Sequence, residues 1–301
     1  MSSLSLLTGL VRLARPKHWI KNVFVLLPVP FAVAAALRLK DVAHEETRFE
    51  IGSFLLGLAG FCLINSTIYV LNDLFDAQAD VHHPLKRRRP IASGQVPVWA
   101  AAIEAVSLCA VGMLLCKASG KQGTMAVVLT YFSINIAYNL GAKHISLLDV
   151  FLLASGFILR VLLGCVLVSA SPSAWLLLCT SSLALYLGFA KRRADLKEGL
   201  SHKHRPSLRG YSLSFLDHAM IICAGTAILS YALYGIEAKI LLPGREMASM
   251  PFVVYGILNY LRMVDVMGVG GNPVEVALRS IPMQICGLGW IVAVTWSLGL
   301  W

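Results

Sequence analysis

Charge is what this chain has least of. Asp, Glu, Lys and Arg make up 14% of its 301 residues against 57% hydrophobic residues, where a soluble domain carries about 25% charged residues. With a mean hydropathy of +0.72, that deficit excludes an ordinary soluble fold. No Cys-x-x-Cys pair occurs, and the seven cysteines (62, 109, 116, 165, 179, 223 and 286) all lie in apolar runs. They read as small buried hydrophobes, so neither a disulfide framework nor a zinc site is expected. Acids number only 16 against 26 Lys and Arg. The basic excess could suit a nucleic acid, but it lies in short loops between apolar runs, so no nucleic-acid partner is expected. A cleavable leader is not expected either, because the apolar run 4–10 precedes Arg12, Arg15, Lys17 and Lys21, the reverse of signal-peptide order. No linker or low-complexity stretch divides the chain, which reads as one domain over 1–301.

What is present is a series of apolar runs of about 20 residues, the length that crosses a bilayer as a helix. The fold class is therefore all-α, a polytopic membrane protein. Residues 3–14, within an interfacial segment 1–16, predict an amphipathic helix on the membrane surface with Arg12 and Arg15 toward the head groups. Nine spans are expected, at about 19–37, 51–71, 98–117, 122–140, 147–168, 173–190, 214–236, 248–266 and 281–300. With the N-terminus in the cytoplasm, eighteen of the 26 Lys and Arg fall on the inside, seven outside (Lys40 and Arg48 among them), and Arg160 within a span. Such a bias sets orientation. It places the N-terminus inside and the C-terminus outside.

The sharpest chemical signal is Asn72-Asp73-Leu74-Phe75-Asp76-Ala77-Gln78-Ala79-Asp80, closing the second span. Steps of three, four and seven residues bring Asp73, Asp76 and Asp80 to one helical face. Three carboxylates there repel one another unless a cation sits between them, and hard oxygen ligands suit Mg2+ shared with substrate phosphates. The segment His83 to Pro90 follows, with Lys86, Arg87, Arg88 and Arg89, residue types that bind phosphate. Acids for a metal beside bases for phosphate, at a membrane edge, point to diphosphate chemistry on the cytoplasmic side.

Three further groups join this one. In the loop Tyr138-Asn139-Leu140-Gly141-Ala142-Lys143-His144 the one cation is Lys143, a point charge for a phosphate; Asp149 sits just inside the next span. Arg160 follows eleven residues later on the same side, about 16 Å along the helix, so a direct pair is not expected and each needs its own partner. Ionisable residues in a span face the bundle interior. In Lys191-Arg192-Arg193-Ala194-Asp195-Leu196-Lys197, Lys191 and Arg192 lie nearest the interior and suit phosphate, whereas Arg193 and Lys197 read equally well as topology anchors. Near the N-terminus, Trp19 reads as an interfacial anchor, while Lys21 and Asn22 go a turn deeper, where a cation needs an anionic partner.

The Asn72-Asp73-x-x-Asp76-x-x-x-Asp80 signature resembles the first motif of the UbiA superfamily of intramembrane transferases. Segments 15–22 (RPKHWIKN), 83–94 (HPLKRRRPIASG), 138–149 (YNLGAKHISLLD), 156–160 (GFILR) and 189–196 (FAKRRADL) look like its decaprenyl-phosphate phosphoribosyltransferase branch, which includes rhizobial nodulation-factor arabinosylation homologues. The likeness extends from about residue 12 to 300. It implies nine transmembrane helices around a central cavity, in a bacterial inner membrane, with the active site toward the cytoplasm. The chain lacks the second DxxxD motif of the aromatic prenyltransferases; Tyr138, Lys143 and Asp149 stand in its place. Asp195 stands where the branch usually has Glu, and Ser280 where it has an acid, which leaves the role of the 262–280 loop open.

The implied reaction moves 5-phosphoribosyl from 5-phosphoribosyl 1-diphosphate to a polyprenyl phosphate, a step toward a lipid-linked arabinofuranose donor. The resemblance implies Mg2+ on Asp73, Asp76 and Asp80 with Asn72. Lys86, Arg87, Arg89, Lys143, Lys191 and Arg192 are then phosphate contacts, with Lys21, Asn22, Tyr138 and Arg160 lining the substrate site. Asp149 is expected to orient a ribose hydroxyl or Lys143. Two other readings are weighed: a prenyltransferase acting on an aromatic acceptor, disfavoured by the missing motif, and a transporter of a phosphorylated solute, for which the paired interrupted helices are lacking. A homo-oligomer is compatible with the chain.

Overall fold

Where no water is at hand, each backbone N–H must bond within its own segment, and this chain does so with helices. The computed structural model describes residues 3–38, 50–82, 86–199, 206–268, 271, 275–276 and 279–301. Expectations for His83, Pro84, Leu85, Lys40, Arg48 and part of the 262–280 loop fall outside these residues. Helix α1 (Ser3–Ala14) leads into a 3-10 segment (Pro16–Leu26) and α2 (Val29–Arg38). Then come α3 (Ile51–Phe75), the short α4 (Ala77–Val81), α5 (Val98–Ala118), α6 (Thr124–Asn139) and α7 (Leu148–Leu167). Helices α8 (Ala174–Lys197), α9 (Leu213–Glu237), α10 (Met250–Asp265) and α11 (Ile281–Ser297) complete the described elements.

Each expected span coincides with helix, but not all reach spanning length. Among the described residues, six stretches are long and apolar enough to cross a membrane: Ser5–Arg38 taken as one, α3, α5, α7, α8 and α9. Helices α6, α10 and α11 have 16, 16 and 17 residues, below the ~20 that an untilted crossing takes.

Packing runs around the bundle in nearly sequential order. Helix α3 lies against α5, α6 against α7, α7 against α8, α8 against α9 and α10 against α11. Val25 of the 3-10 segment joins Phe61, Ile64, Leu163 and Leu167 in one core, while Ala34 of α2 meets Val294 and Leu298 at the C-terminal helix, closing the circuit. Lipid tails are as apolar as leucine, so close backbone approach drives helix pairing in a bilayer. At Gly60 of α3 a Cβ would lie 2.7 Å from the Gly112 carbonyl of α5. At Gly164 of α7 it would lie 2.2 Å from the Val25 carbonyl. Both glycines are what lets the backbones touch.

The N-terminal helix packs one face on the bundle. Helix α1 is docked, with Leu13 buried against Val70 and Ala101 of α3 and α5 and Gly9 against Val96. Arg12 is exposed as expected. Arg15 is not: Pro16 disfavours helical geometry at the residue before it, and Arg15 leaves α1 in the left-handed region at φ 50, turned inward to Asp73 instead of outward to the head groups.

Gly60→Leu should lower the apparent melting temperature in detergent by several degrees, since overpacking costs about 1–3 kcal/mol. Gly52→Leu, at a position with open space around it, should leave it unchanged. Thermal unfolding of the two purified variants side by side checks the contact.

Candidate active site at one end of the bundle

The aspartate segment straddles a helix break. Asp76 caps α3, its N–H bonding the Asn72 carbonyl at 3.0 Å, and the Asp80 N–H bonds the Asp76 carbonyl at 2.8 Å as α4 begins. Near-helical continuity thus keeps the acids on adjoining turns. Each then takes a cation from elsewhere. Asp73 Oδ1 receives Arg15 at 2.6 Å and Arg89 at 3.0 Å; Asp80 Oδ2 receives the same Arg89 nitrogen at 2.7 Å, with Lys86 3.8 Å from its other oxygen. Asp76 receives Lys143 at 2.9 Å. Asp73 and Asp80 are buried and Asp76 half-buried.

The arrangement tests whether a divalent ion fits. Among the described residues no three acidic, His or Cys side chains stand together as a ready-made metal group, because Arg89 holds Asp73 and Asp80 while Lys143 draws Asp76 aside. Two features nonetheless suit a cation. Carboxylates of Asp73 and Asp80 both reach one nitrogen within 3.0 Å, so a single positive centre can touch both. Asp73 Oδ2 is buried with no hydrogen-bond partner, a vacancy in bonding that a buried anion rarely tolerates. Asp73 and Asp80 can thus share a single ion, while Asp76 is paired with Lys143.

A second acid lies at the same end, and its surroundings correct its expected role. Asp149 is fully buried at the start of α7, and both oxygens are used. Oδ2 accepts from Arg192 Nε at 2.7 Å and Ser207 at 2.9 Å, and Oδ1 accepts from the Tyr211 hydroxyl at 2.7 Å. Burial and the Asp149 carboxylate push the Tyr211 hydroxyl above its ordinary value, so it stays a donor at neutral pH. Arg192 also binds Asp195 at 3.0 Å. Asp149 therefore makes no direct bond to Lys143, and Arg192 is paired with two acids, Asp149 and Asp195. Helical neighbours point about 100° apart, and here both of the pair 192–193 turn inward. Arg193 bonds Asp217 of α9, the Val264 carbonyl at 3.1 Å and Asp265 of α10 at 2.6 Å, tying three helices. It is no mere topology anchor.

Arg160 and Asp149 have separate partners, as their spacing requires. The buried Arg160 guanidinium donates to Asn22 at 3.0 Å, the Gly156 carbonyl at 2.7 Å, Asn65 at 2.6 Å and the Tyr131 hydroxyl at 3.0 Å. The Phe61, Tyr131 and Phe157 rings lie 5.1–5.6 Å from it. Trp19 remains 37% exposed and donates to Ser66 of α3 at 2.9 Å. Asn22 is buried, Lys21, Tyr138 and Lys191 are half-buried, and Arg87 is exposed. All seven cysteines are free.

Three participants carry no helical spacing that would reveal them. Arg15 contacts Asp73 from 58 residues away, and Ser207 and Tyr211 reach Asp149 from 58 and 62. Only the Arg15-Pro16 dipeptide, which forces a residue out of helix, was a local sign. An apolar groove of about 560 Å3 between α10 and α11, lined by Phe252, Leu288, Val292 and Trp296 among others, contains none of these residues.

Comparison with known proteins agrees with this geometry. The model of the UbiA prenyltransferase family matches residues 25–265. The decaprenyl-phosphate phosphoribosyltransferase of Corynebacterium glutamicum is 33% identical over 297 residues, covering 96% of this chain and 86% of that protein. Its counterpart in Mycolicibacterium smegmatis is 32% identical over 299 residues, covering 95% and 91%. A UbiA homologue from Archaeoglobus fulgidus, solved bound to DMAPP and Mg2+, matches with a TM-score of 0.70 over 97% of this chain and 100% of that one. At 16% identity this last is a likeness of fold.

Asp149→Ala should destabilise the protein by about 3–5 kcal/mol, because it removes the fully buried partner of the Arg192 guanidinium and leaves that charge to Asp195. Lys143→Ala breaks a half-exposed pair and should cost less than about 1 kcal/mol. Denaturant unfolding in detergent micelles distinguishes them, and equal losses would contradict the division into a structural and a substrate-facing group.

Proposed function

We propose, from the premise that this chain belongs to the UbiA prenyltransferase family, that it is a membrane transferase moving 5-phosphoribosyl from 5-phosphoribosyl 1-diphosphate to a polyprenyl phosphate. Relatives named for that reaction along nearly the whole chain support the reading. The observation that carries it is the convergence of Arg15, Lys86, Arg89 and Lys143 on three aspartates. We read the chain as one unit over 1–301 with nine spans, α6, α10 and α11 included, around a cavity open to the cytoplasm. The proposed setting is a bacterial plasma membrane with the N-terminus inside, and the product a precursor of a lipid-linked arabinofuranose donor.

The chemistry follows from where charge develops. The bond from the anomeric carbon to the diphosphate breaks and its electron pair leaves with the diphosphate; an oxygen of the acceptor phosphate forms the new bond. That oxygen is already anionic, so no general base is needed. Asp73 and Asp80, with Asp76 and Asn72, would hold Mg2+, which when bound neutralises charge on the departing diphosphate. Lys86, Arg87, Arg89 and Lys143 would bind and orient the donor phosphates. Lys21, Asn22, Tyr138, Lys191 and Arg160 are assigned to the acceptor phosphate and the sugar. Arg160, whose described partners are all uncharged, lends that region positive potential. Asp149 and Arg192 are assigned to holding the fold.

Membranes containing the protein, incubated with Mg2+, labelled 5-phosphoribosyl 1-diphosphate and polyprenyl phosphate, should transfer label to organic-extractable lipid. Transfer from a labelled isoprenyl diphosphate to an aromatic acceptor instead would overturn the reading. Asp73→Ala should lower the rate by about two to three orders of magnitude with membrane expression and melting temperature retained; turnover near wild type would remove the aspartate from the site.

A further inference from the structure

We propose that Arg15 is a positioning residue that couples divalent-cation binding to diphosphate binding: it holds Asp73 while the site is empty of anion and releases it to the cation when a diphosphate arrives. The proposal rests on the metal and diphosphate reading above, but not on which sugar or lipid the diphosphate carries.

The charge count makes the coupling physical. Four cations, Arg15, Lys86, Arg89 and Lys143, face three carboxylates, Asp73, Asp76 and Asp80. The group is already positive by one, so a divalent cation alone adds charge to an over-neutralised, poorly hydrated site. A multiply charged diphosphate reverses the balance by taking the guanidinium and ammonium groups for itself, the geometry arginine forks favour. Each ligand thus creates the other's partners, and such coupling is reciprocal.

Arg15 is placed to exchange. Its contact with Asp73 is, at 2.6 Å, the shortest in the group, yet its side chain remains 21% exposed while Asp73 is 1% exposed. The guanidinium therefore reaches an incoming anion without leaving the acid unsolvated first. Asp73 Oδ2, buried and without a partner, gives the cation a first contact while Oδ1 is still held. The left-handed backbone at Arg15 (φ 50), uncommon outside glycine and frequent at functional sites, aims the side chain inward. The Tyr69 ring, 5.2 Å from the guanidinium carbon, supports it on whichever partner it takes.

The test uses the full-length protein in detergent, Mn2+ as a paramagnetic probe and inorganic diphosphate as the anion. Titration by electron paramagnetic resonance, with Mn2+–diphosphate complexes in solution subtracted, should give a Mn2+ affinity about 10–100-fold higher when diphosphate is saturating. In Arg15→Gln, Mn2+ alone should bind more tightly than in the wild type and the enhancement should shrink by about tenfold. Arg15→Lys, which keeps the charge, should restore most of it. A merely structural Arg15 would lower the melting temperature of Arg15→Gln and leave the ratio of the two affinities as in the wild type, which overturns the proposal. So does an unchanged Mn2+ affinity with diphosphate in the wild type. Should Asp73→Asn bind Mn2+ like the wild type, the metal reading of the aspartates itself falls. Should the coupling appear while no phosphoribosyl transfer is found, the substrate assignment alone falls.

Discussion

A charge carried into an apolar bundle must be answered there, since the effective penalty for burying an ion is several kcal/mol. Three arginines at or below 5% exposure, Arg160, Arg192 and Arg193, meet this requirement in different ways, and the helix arrangement follows from how each is met. Arg192 draws α7 to α8 through Asp149. Arg193 gathers the ends of α8, α9 and α10 around one guanidinium. Arg160 uses amides, a carbonyl, a phenol and ring faces, so it joins the 3-10 segment, α3, α6 and α7 without cancelling its charge. Two of the three are finished electrostatically. The third leaves the interior positive.

The same distinction separates the two acid groups at this end of the molecule. Asp149 has all its bonding filled by Arg192, Ser207 and Tyr211, and nothing in it asks for a ligand. The 73–80 group is different: two cations crowd one oxygen of Asp73 while the other goes without, and Lys143 and Asp76 remain partly open to solvent. Incompletely satisfied buried charge is costly, and it persists where binding completes it. Burial alone would have ranked Asp149 above Asp76 as a functional residue. Satisfaction reverses that order.

Much of this was legible in the sequence, and the reason is local periodicity. Apolar runs located the helices, because helix formation in lipid depends on composition over about 20 residues. Spacings of three and four located the aspartates. What lay beyond reach were contacts made across the chain: Arg15 with Asp73, Arg89 bridging two acids, Asp149 with Arg192 across 43 residues, Arg193 with Asp265 across 72. No periodicity encodes those, and a cation in a loop between spans looks the same whether it anchors topology, clamps helices or awaits an anion. Helix lengths were similarly ambiguous. An apolar run says where a span can be, and α6, α10 and α11 use fewer residues of theirs than the run allows.

The loop bearing Lys143 shows how the two groups depend on each other. At its α7 end the Leu147 N–H donates to the Tyr211 hydroxyl at 2.6 Å, and Ser146 donates to the Ser207 carbonyl at 2.7 Å. Gly210 permits that approach, since a Cβ there would come within 2.3 Å of the Ser146 hydroxyl. Tyr211 and Ser207 are the residues that satisfy Asp149, so the saturated acid also fixes the base of the loop. Three residues earlier, Lys143 touches Asp76 through a half-exposed pair, the kind worth little in water. The base of the loop is therefore bonded to the saturated acid's own partners, while its tip is held through the partly exposed Lys143–Asp76 pair.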